Sequence, residues 1–144
     1  MTRPAPKLAD FEGDWSIARH IDDHHSGQKG HFHGTARFRA VPEGLAYHEA
    51  GLLTLGQALP LTAMRDYLWR WSAGRIHVDY ADGRPFHDFD PADPLAHHAC
   101  DPDDYRVRYE FGGWPHWTAD WSVTGPRKDY VSRSCFAPCH RRLT

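Results

Sequence analysis

Two pairs of residues carry the most chemistry in this 144-residue chain. Arg65 precedes Tyr67, and Lys128 precedes Tyr130, with one residue between the members of each pair. On a β-strand that spacing aims both side chains at one face. Each pair therefore offers a cation and a phenol to one ligand, a set suited to an anionic group. Trp69 and Trp71 share the Arg65 face, and both rings read as inward. A guanidinium pointing inward beside them needs a counter-charge, because an isolated buried charge is strongly disfavoured. Glu49, on the face of Leu45 and Tyr47, is the internal candidate. A carboxylate on a bound ligand is the external one.

His87 and His98 are the histidines whose strands aim them inward, His87 by its spacing from Phe89. Two such groups could bind a metal, exchange protons, or donate hydrogen bonds to a ligand. The plainer reading is a pair of core histidines satisfied by backbone carbonyls. No third and fourth ligand accompanies them, so neither a metal nor haem, nor any other cofactor, is expected. The chain holds 12 histidines, but His31 and His33 lie opposite Phe32 and Phe38 on their strand and read as solvent-facing. Among the aromatic residues, Trp69, Tyr105 and Trp121 suit the apolar wall of a pocket, where rings with N–H or O–H groups supply a few placed polar contacts. No catalytic triad order, HExxH, phosphate loop or paired-carboxylate spacing is legible, so the sequence proposes no reaction.

The elements that must position these residues alternate with period two. Trp15, Ile17, Arg19 and Ile21 share one face of a first strand, and Phe32, Gly34, Ala36 and Phe38 share a face of the second. Further strands are predicted over Leu45–Leu53, Thr62–Trp71, Ile76–Tyr80, Pro85–Phe89, Leu95–Cys100, Tyr105–Phe111, His116–Val123 and Lys128–Pro138. Polar turns such as Asp82-Gly83 separate them. About ten short strands without a helical layer point to an all-β, up-and-down antiparallel β-barrel, since closure removes exposed strand edges. Residues 1–10 read as an N-terminal arm and 11–144 as a single barrel domain.

Phe11-Glu12-Gly13-Asp14-Trp15 places a Gly-x-Trp at the start of the first strand, which resembles the lipocalin and wider calycin superfamily. In such barrels the Trp closes the floor beneath an Arg from the last strands, which this resemblance would assign to Arg133 or Arg141. Arg65-x-Tyr67 also resembles the pair that fatty-acid-binding relatives of lipocalins use for a ligand carboxylate, although it stands mid-chain here. A resemblance spanning nearly the whole chain rests on Phe11-x-Gly13-x-Trp15-x3-Arg19, Tyr47-x-Glu49-x-Gly51, Arg65-x-Tyr67-x-Trp69, Asp82-Gly83-Arg84-x-Phe86-His87, His98-x-Cys100-x2-Asp103-x-Tyr105 and Gly125-Pro126-x-Lys128-x-Tyr130. These segments are similar to an uncharacterised bacterial family of unknown function. That resemblance implies a calycin-like barrel and leaves its activity open.

Composition narrows the partners. With 17 Lys and Arg against 19 Asp and Glu, the formal net charge is −2, and no basic stripe suits a nucleic acid. No run reaches the roughly 18 apolar residues of a membrane helix, and the start lacks the apolar core of a signal peptide. Cys100, Cys135 and Cys139 form no CxxC pair and suit free thiols in a reducing compartment, so a cytoplasmic location is expected. The reading is a small-molecule-binding barrel, monomeric or weakly dimeric, holding an anionic or amphipathic ligand. Arg65, Tyr67, Lys128 and Tyr130 would grip its polar end with Glu49, His87 and His98. Two rivals remain: a barrel lyase, isomerase or cyclase using His and Tyr as acid and base, and a structural or partner-binding barrel with a filled core.

Overall fold

Alternation of apolar and polar residues governs the chain from Gly13 onward, and ten strands result. In the computed structural model, which describes residues 4–139, these are β1 (Gly13–Asp23), β2 (Gln28–Val41), β3 (Gly44–Leu55), β4 (Leu61–Ser72) and β5 (Arg75–Tyr80), then β6 (Pro85–Phe89), β7 (Leu95–Cys100), β8 (Asp103–Glu110), β9 (Trp117–Thr124) and β10 (Asp129–Pro138). Each pairs antiparallel with its sequence neighbour except at β6 and β7, and β10 returns to pair with β1. The result is a nearly closed up-and-down barrel with one seam, between β6 and β7.

One face of every strand fills the lumen. Val107 and Tyr109 are buried while Arg106, Arg108 and Glu110 between and beyond them are exposed, as the alternation of β8 requires. His31 and His33 stand on the outer face with exposed rings, opposite Phe32 and Phe38. The glycine pair Gly34 and Gly51 lies in register on β2 and β3. A Cβ at Gly34 would stand 2.1 Å from the Ala50 carbonyl oxygen, and one at Gly51 2.2 Å from that of His33, so only glycine allows the two backbones this approach. This close approach lies two residues from Glu49, and Gly34 is in register with Ile17 of β1.

The floor is aromatic. A short 3-10 helix, Leu8–Phe11, reaches back into what reads as the N-terminal arm and carries Phe11 under the barrel. Fully buried there, Phe11 meets the rings of Phe38, Trp69, Phe111, Trp114 and Trp117 at centroid distances of 4.9–5.7 Å. Trp15 donates its Nε1–H to the Phe11 carbonyl at 2.8 Å and packs on Trp114 and Trp117. The expected arginine cover is not from Arg133, which points outward and pairs with Asp120. Arg141 lies outside the described residues. Trp71 departs from its inward assignment and is 53% exposed, because β3 turns at Gly44 and its register with β4 ends at Leu45 and Trp69. Two residues further along β4, Trp71 has no β3 neighbour to cover its ring, and its one register partner is Ile76 of β5.

Trp15→Ala is expected to cost about 3–5 kcal/mol, as a large-to-small change in a packed core that also orphans the Phe11 carbonyl. A denaturant titration reads this directly, and a loss below about 1 kcal/mol would show that the floor does not depend on Trp15.

Candidate functional site

Above the floor, β1, β3 and β10 bring together a buried ionic network. Arg19, on the inward face of β1 with Trp15 and Ile17, donates from Nη1 to Glu49 Oε2 at 2.8 Å and from Nη2 to Glu49 Oε1 at 3.0 Å. Its Nε donates to Ser134 Oγ at 2.6 Å. Tyr47 donates its hydroxyl to the same Glu49 Oε1 at 2.6 Å, and Phe32 lies beneath the Arg19 guanidinium at 5.1 Å. Burial opposes the charge on Glu49, but the hydrogen bonds and charge of Arg19 outweigh it, so the carboxyl titrates below its ordinary range. Burial and the negative charge of Glu49 push the Tyr47 phenol well above its own.

Glu49 is therefore not the partner of Arg65, although the two stand directly opposite in the β3–β4 register. Arg65 reaches the mouth, where its side chain is exposed. Its guanidinium lies 5.4 Å from the Trp121 ring on the far wall, and among the described residues it makes no hydrogen bond or ion pair. Arg65 and Trp121 thus face each other across the upper lumen.

Below them lies a cavity of about 30 Å³, lined by Arg19, Tyr47, Glu49, Arg65, Tyr67, Trp69, Phe86, His87, Tyr109, Trp117 and Trp121, among others. His87 enters it because a bulge opposite Val78 and Asp79 turns both Phe86 and His87 inward. Its Nε2 is 2.7 Å from the Tyr109 hydroxyl. Burial, reinforced by the neighbouring His98 imidazole, pushes the His87 pKa down to about 3. Burial also carries the Tyr67 phenol up to about 12 and raises that of Tyr109.

Six of the sequence-predicted residues line this cavity: Glu49, Arg65, Tyr67, Trp69, His87 and Trp121. Four do not. Tyr105 and Tyr130 are half-buried nearer the rim, and His98 packs edge-on against Phe86 beside the seam. Lys128 precedes β10 in the turn closed by the Gly125 N–H to its own carbonyl, so it does not share the strand of Tyr130. Its ammonium donates to the Tyr105 hydroxyl at 2.9 Å and lies 3.3 Å from Asp103, which together raise its pKa. Residues absent from the predicted set are Arg19, Tyr47, Phe86, Tyr109, Trp117 and Ser134. Arg19 and Tyr47 were visible by their alternation with core residues; the bulge that admits Phe86 had no sequence signal. No cluster of three or more metal-ligating side chains occurs among the described residues.

Fold and lumen together define a small antiparallel barrel with an aromatic floor and a cationic, phenol-rimmed mouth. The chain belongs to DUF6314, a family of unknown function, whose family model matches residues 11–138. In structure it is similar to an S-type phycobiliprotein lyase, CPES, from Guillardia theta, with a TM-score of 0.66 and 8% identity over 94% of this chain and 92% of that one. At that identity the likeness shows the fold alone. A redesigned β barrel, mFAP0, solved bound to DFHBI, superposes with a TM-score of 0.43 at 12% identity over 90% of this chain and 98% of that one, too loosely to bear on the fold. No curated protein matches the sequence. Among the described residues no helix is long and apolar enough to cross a membrane.

The buried imidazole makes stability pH-dependent. An unfolded histidine takes up a proton near pH 6.5, whereas folded His87 stays neutral down to about 3, so the unfolded state binds the extra proton in that window. Stability from this group is complete above about pH 6.5 and falls as pH falls. Between pH 8 and pH 5 the expected loss is about 2 kcal/mol. His87→Gln, which retains a polar partner for Tyr109, removes that share of the loss in urea unfolding at the two pH values. Equal losses in both proteins would mean that His87 is protonated in the folded barrel.

Proposed function

We propose that the barrel binds a small molecule carrying an anionic group, with Arg65 as the counter-charge and the upper lumen as the apolar seat. The observation that carries this reading is the unequal satisfaction of two lumen-facing arginines. Arg19 has a bidentate carboxylate and a serine hydroxyl, while Arg65 lies against Trp121 and feels Glu49 only through space, with no hydrogen bond or ion pair among the described residues. Glu49 already accepts from Arg19 twice and from Tyr47, so a second guanidinium gains little from it. An incoming carboxylate would give Arg65 the two-pronged partner that its planar fork fits. Tyr67, Phe86 and Trp121 would enclose the apolar body, with Tyr105 and Tyr130 at the rim. Lys128 and His98 would act from the outside, Lys128 by raising the positive potential at the mouth.

A cavity of about 30 Å³ has room for water-sized occupants, well below the several hundred Å³ of most ligand pockets. Binding therefore requires Arg65 to leave Trp121, and the ligand's anion supplies the reason to do so. The rival acid–base reading is weaker, because a histidine held near 3 and a phenol raised by complete burial are both far from the pKa that proton transfer at neutral pH favours. Three exposed free cysteines suit a reducing compartment, which supports a cytoplasmic site of action.

The test compares 4-isopropylbenzoate with its uncharged counterpart, 4-isopropylbenzamide, by isothermal titration. Arg65→Met is expected to weaken the benzoate about ten- to hundredfold, as the loss of a charge-assisted hydrogen bond does, and to change the benzamide little. Equal effects on both, or no saturable binding of the benzoate at millimolar concentration, would refute the reading.

A further inference from the structure

The lower network leaves no polar atom of Arg19 or Glu49 idle, yet two ring nitrogens on the same cavity wall have no partner. His87 Nδ1 and Trp117 Nε1 are both buried without a hydrogen bond. His87 is 7% exposed and Trp117 2%. Buried polar atoms are paired in the great majority of cases, so two orphans in one small cavity call for an explanation.

Hydrogen-bond accounting fixes what the histidine offers. Tyr109 is buried, and its hydroxyl has His87 Nε2 as its one hydrogen-bond partner among the described residues. If Nε2–H donated to the phenol oxygen, both the phenol hydrogen and the Nδ1 lone pair would be left unpaired. If the phenol donates to Nε2, one orphan remains, an Nδ1–H. The second arrangement strands fewer groups, so the tautomer assigned from the network is the Nδ1–H form. Trp117 Nε1–H is a donor by its chemistry. His87 and Trp117 line the same cavity, with Tyr109 beside both rings at 5.9 Å from His87 and 6.3 Å from Trp117. The two buried orphans on the cavity wall are then both donors and both uncharged, and Arg65 above them carries the charge.

We infer that His87 Nδ1–H and Trp117 Nε1–H form a deep subsite for a neutral acceptor group, such as a carbonyl oxygen, at the opposite end of the ligand from its anionic group. The inference rests on the reading of Arg65 as the anion's counter-charge and extends it. It defines the ligand as a flat molecule with a carboxylate-like group at the mouth and a keto-type acceptor at the deep end. A second anion at depth is disfavoured, since the one cation there, Arg19, already has the Glu49 carboxylate as its counter-charge. A donor at depth would leave both ring N–H groups unpaired.

Two isosteric probes separate this subsite from the counter-charge. In 4-acetylbenzoate a carbonyl replaces one methyl branch of 4-isopropylbenzoate, while the shape and the carboxylate are kept. The wild-type barrel is expected to bind the acetyl compound about five- to thirtyfold more tightly by isothermal titration. Trp117→Phe, which deletes the indole N–H and keeps a ring in the core, should reduce that ratio, and His87→Phe should do the same; thermal unfolding confirms that each variant is folded. Arg65→Met should weaken both compounds and leave their ratio unchanged. Equal affinity of the two benzoates for the wild type, with Arg65 dependence intact, overturns the deep subsite alone and means that solvent satisfies its donors. A preference that survives both ring variants overturns it as well. Failure of both benzoates to bind up to millimolar concentration removes the subsite together with the anion-binding reading.

Discussion

A carboxylate enclosed in a barrel must find a cation, and the choice of cation here organises the rest of the lumen. Glu49 is 3% exposed and has two arginines within reach of its strand: Arg65 in direct register on β4, and Arg19 from β1 across β2. Arg19 takes it. At 8% exposure Arg19 cannot be hydrated, whereas Arg65 extends to the mouth and keeps contact with water. Charge left unpaired in the interior is far more costly than charge at a wet rim, so the deeper guanidinium holds the carboxylate. Tyr47 then donates to the carboxylate and Ser134 accepts from Arg19 Nε, and the network ties β1, β3 and β10 to one another across the lumen. Gly34 and Gly51 let the β2 and β3 backbones approach closely beside it.

That pairing stands between two regions of the lumen with different properties. At the floor, Phe11 and the rings around it are closely packed, and Trp117 spans from that floor to the cavity wall. Above it, the walls are aromatic, the rim carries phenols, and Arg65 rests on Trp121 without an ionic partner. The filled-core reading thus describes the lower region. The upper region is where charge, unpaired donors and the small cavity coincide. The exposed Arg65 guanidinium beside the half-buried Trp121 indole is held by a weak interaction, of about 0.5–1 kcal/mol at an exposed site, so an anion can displace it at small cost.

The sequence carried most of the fold, because ten strands with alternating burial need only the residue pattern to be seen. Which face each residue occupies was legible for the same reason: Arg106 and Arg108 outward, Val107 and Tyr109 inward. Partner choice was not legible. Glu49 and Arg65 are the nearest opposite charges by register, and only the depth of each along the barrel reveals that Arg19 has the stronger need. Trp71 escaped because the end of β3 cannot be read from β4, and Lys128 because its alternation with Tyr130 crosses the boundary of β10. His87 was placed correctly by its spacing from Phe89, but the bulge that turns Phe86 inward beside it, and the Tyr109 hydroxyl that meets its ring, arise from the packing of β5, β6 and β8.

The central claim is that Glu49 belongs to Arg19, which leaves Arg65 free. Two double-mutant cycles on folding stability test it most directly, one combining Arg19→Met with Glu49→Gln and the other combining Arg65→Met with Glu49→Gln. The account predicts a coupling energy of at least about 2 kcal/mol in the first cycle and below about 0.5 kcal/mol in the second. Strong coupling between positions 65 and 49, with little between 19 and 49, would contradict it and make Arg65 a structural partner of the buried carboxylate.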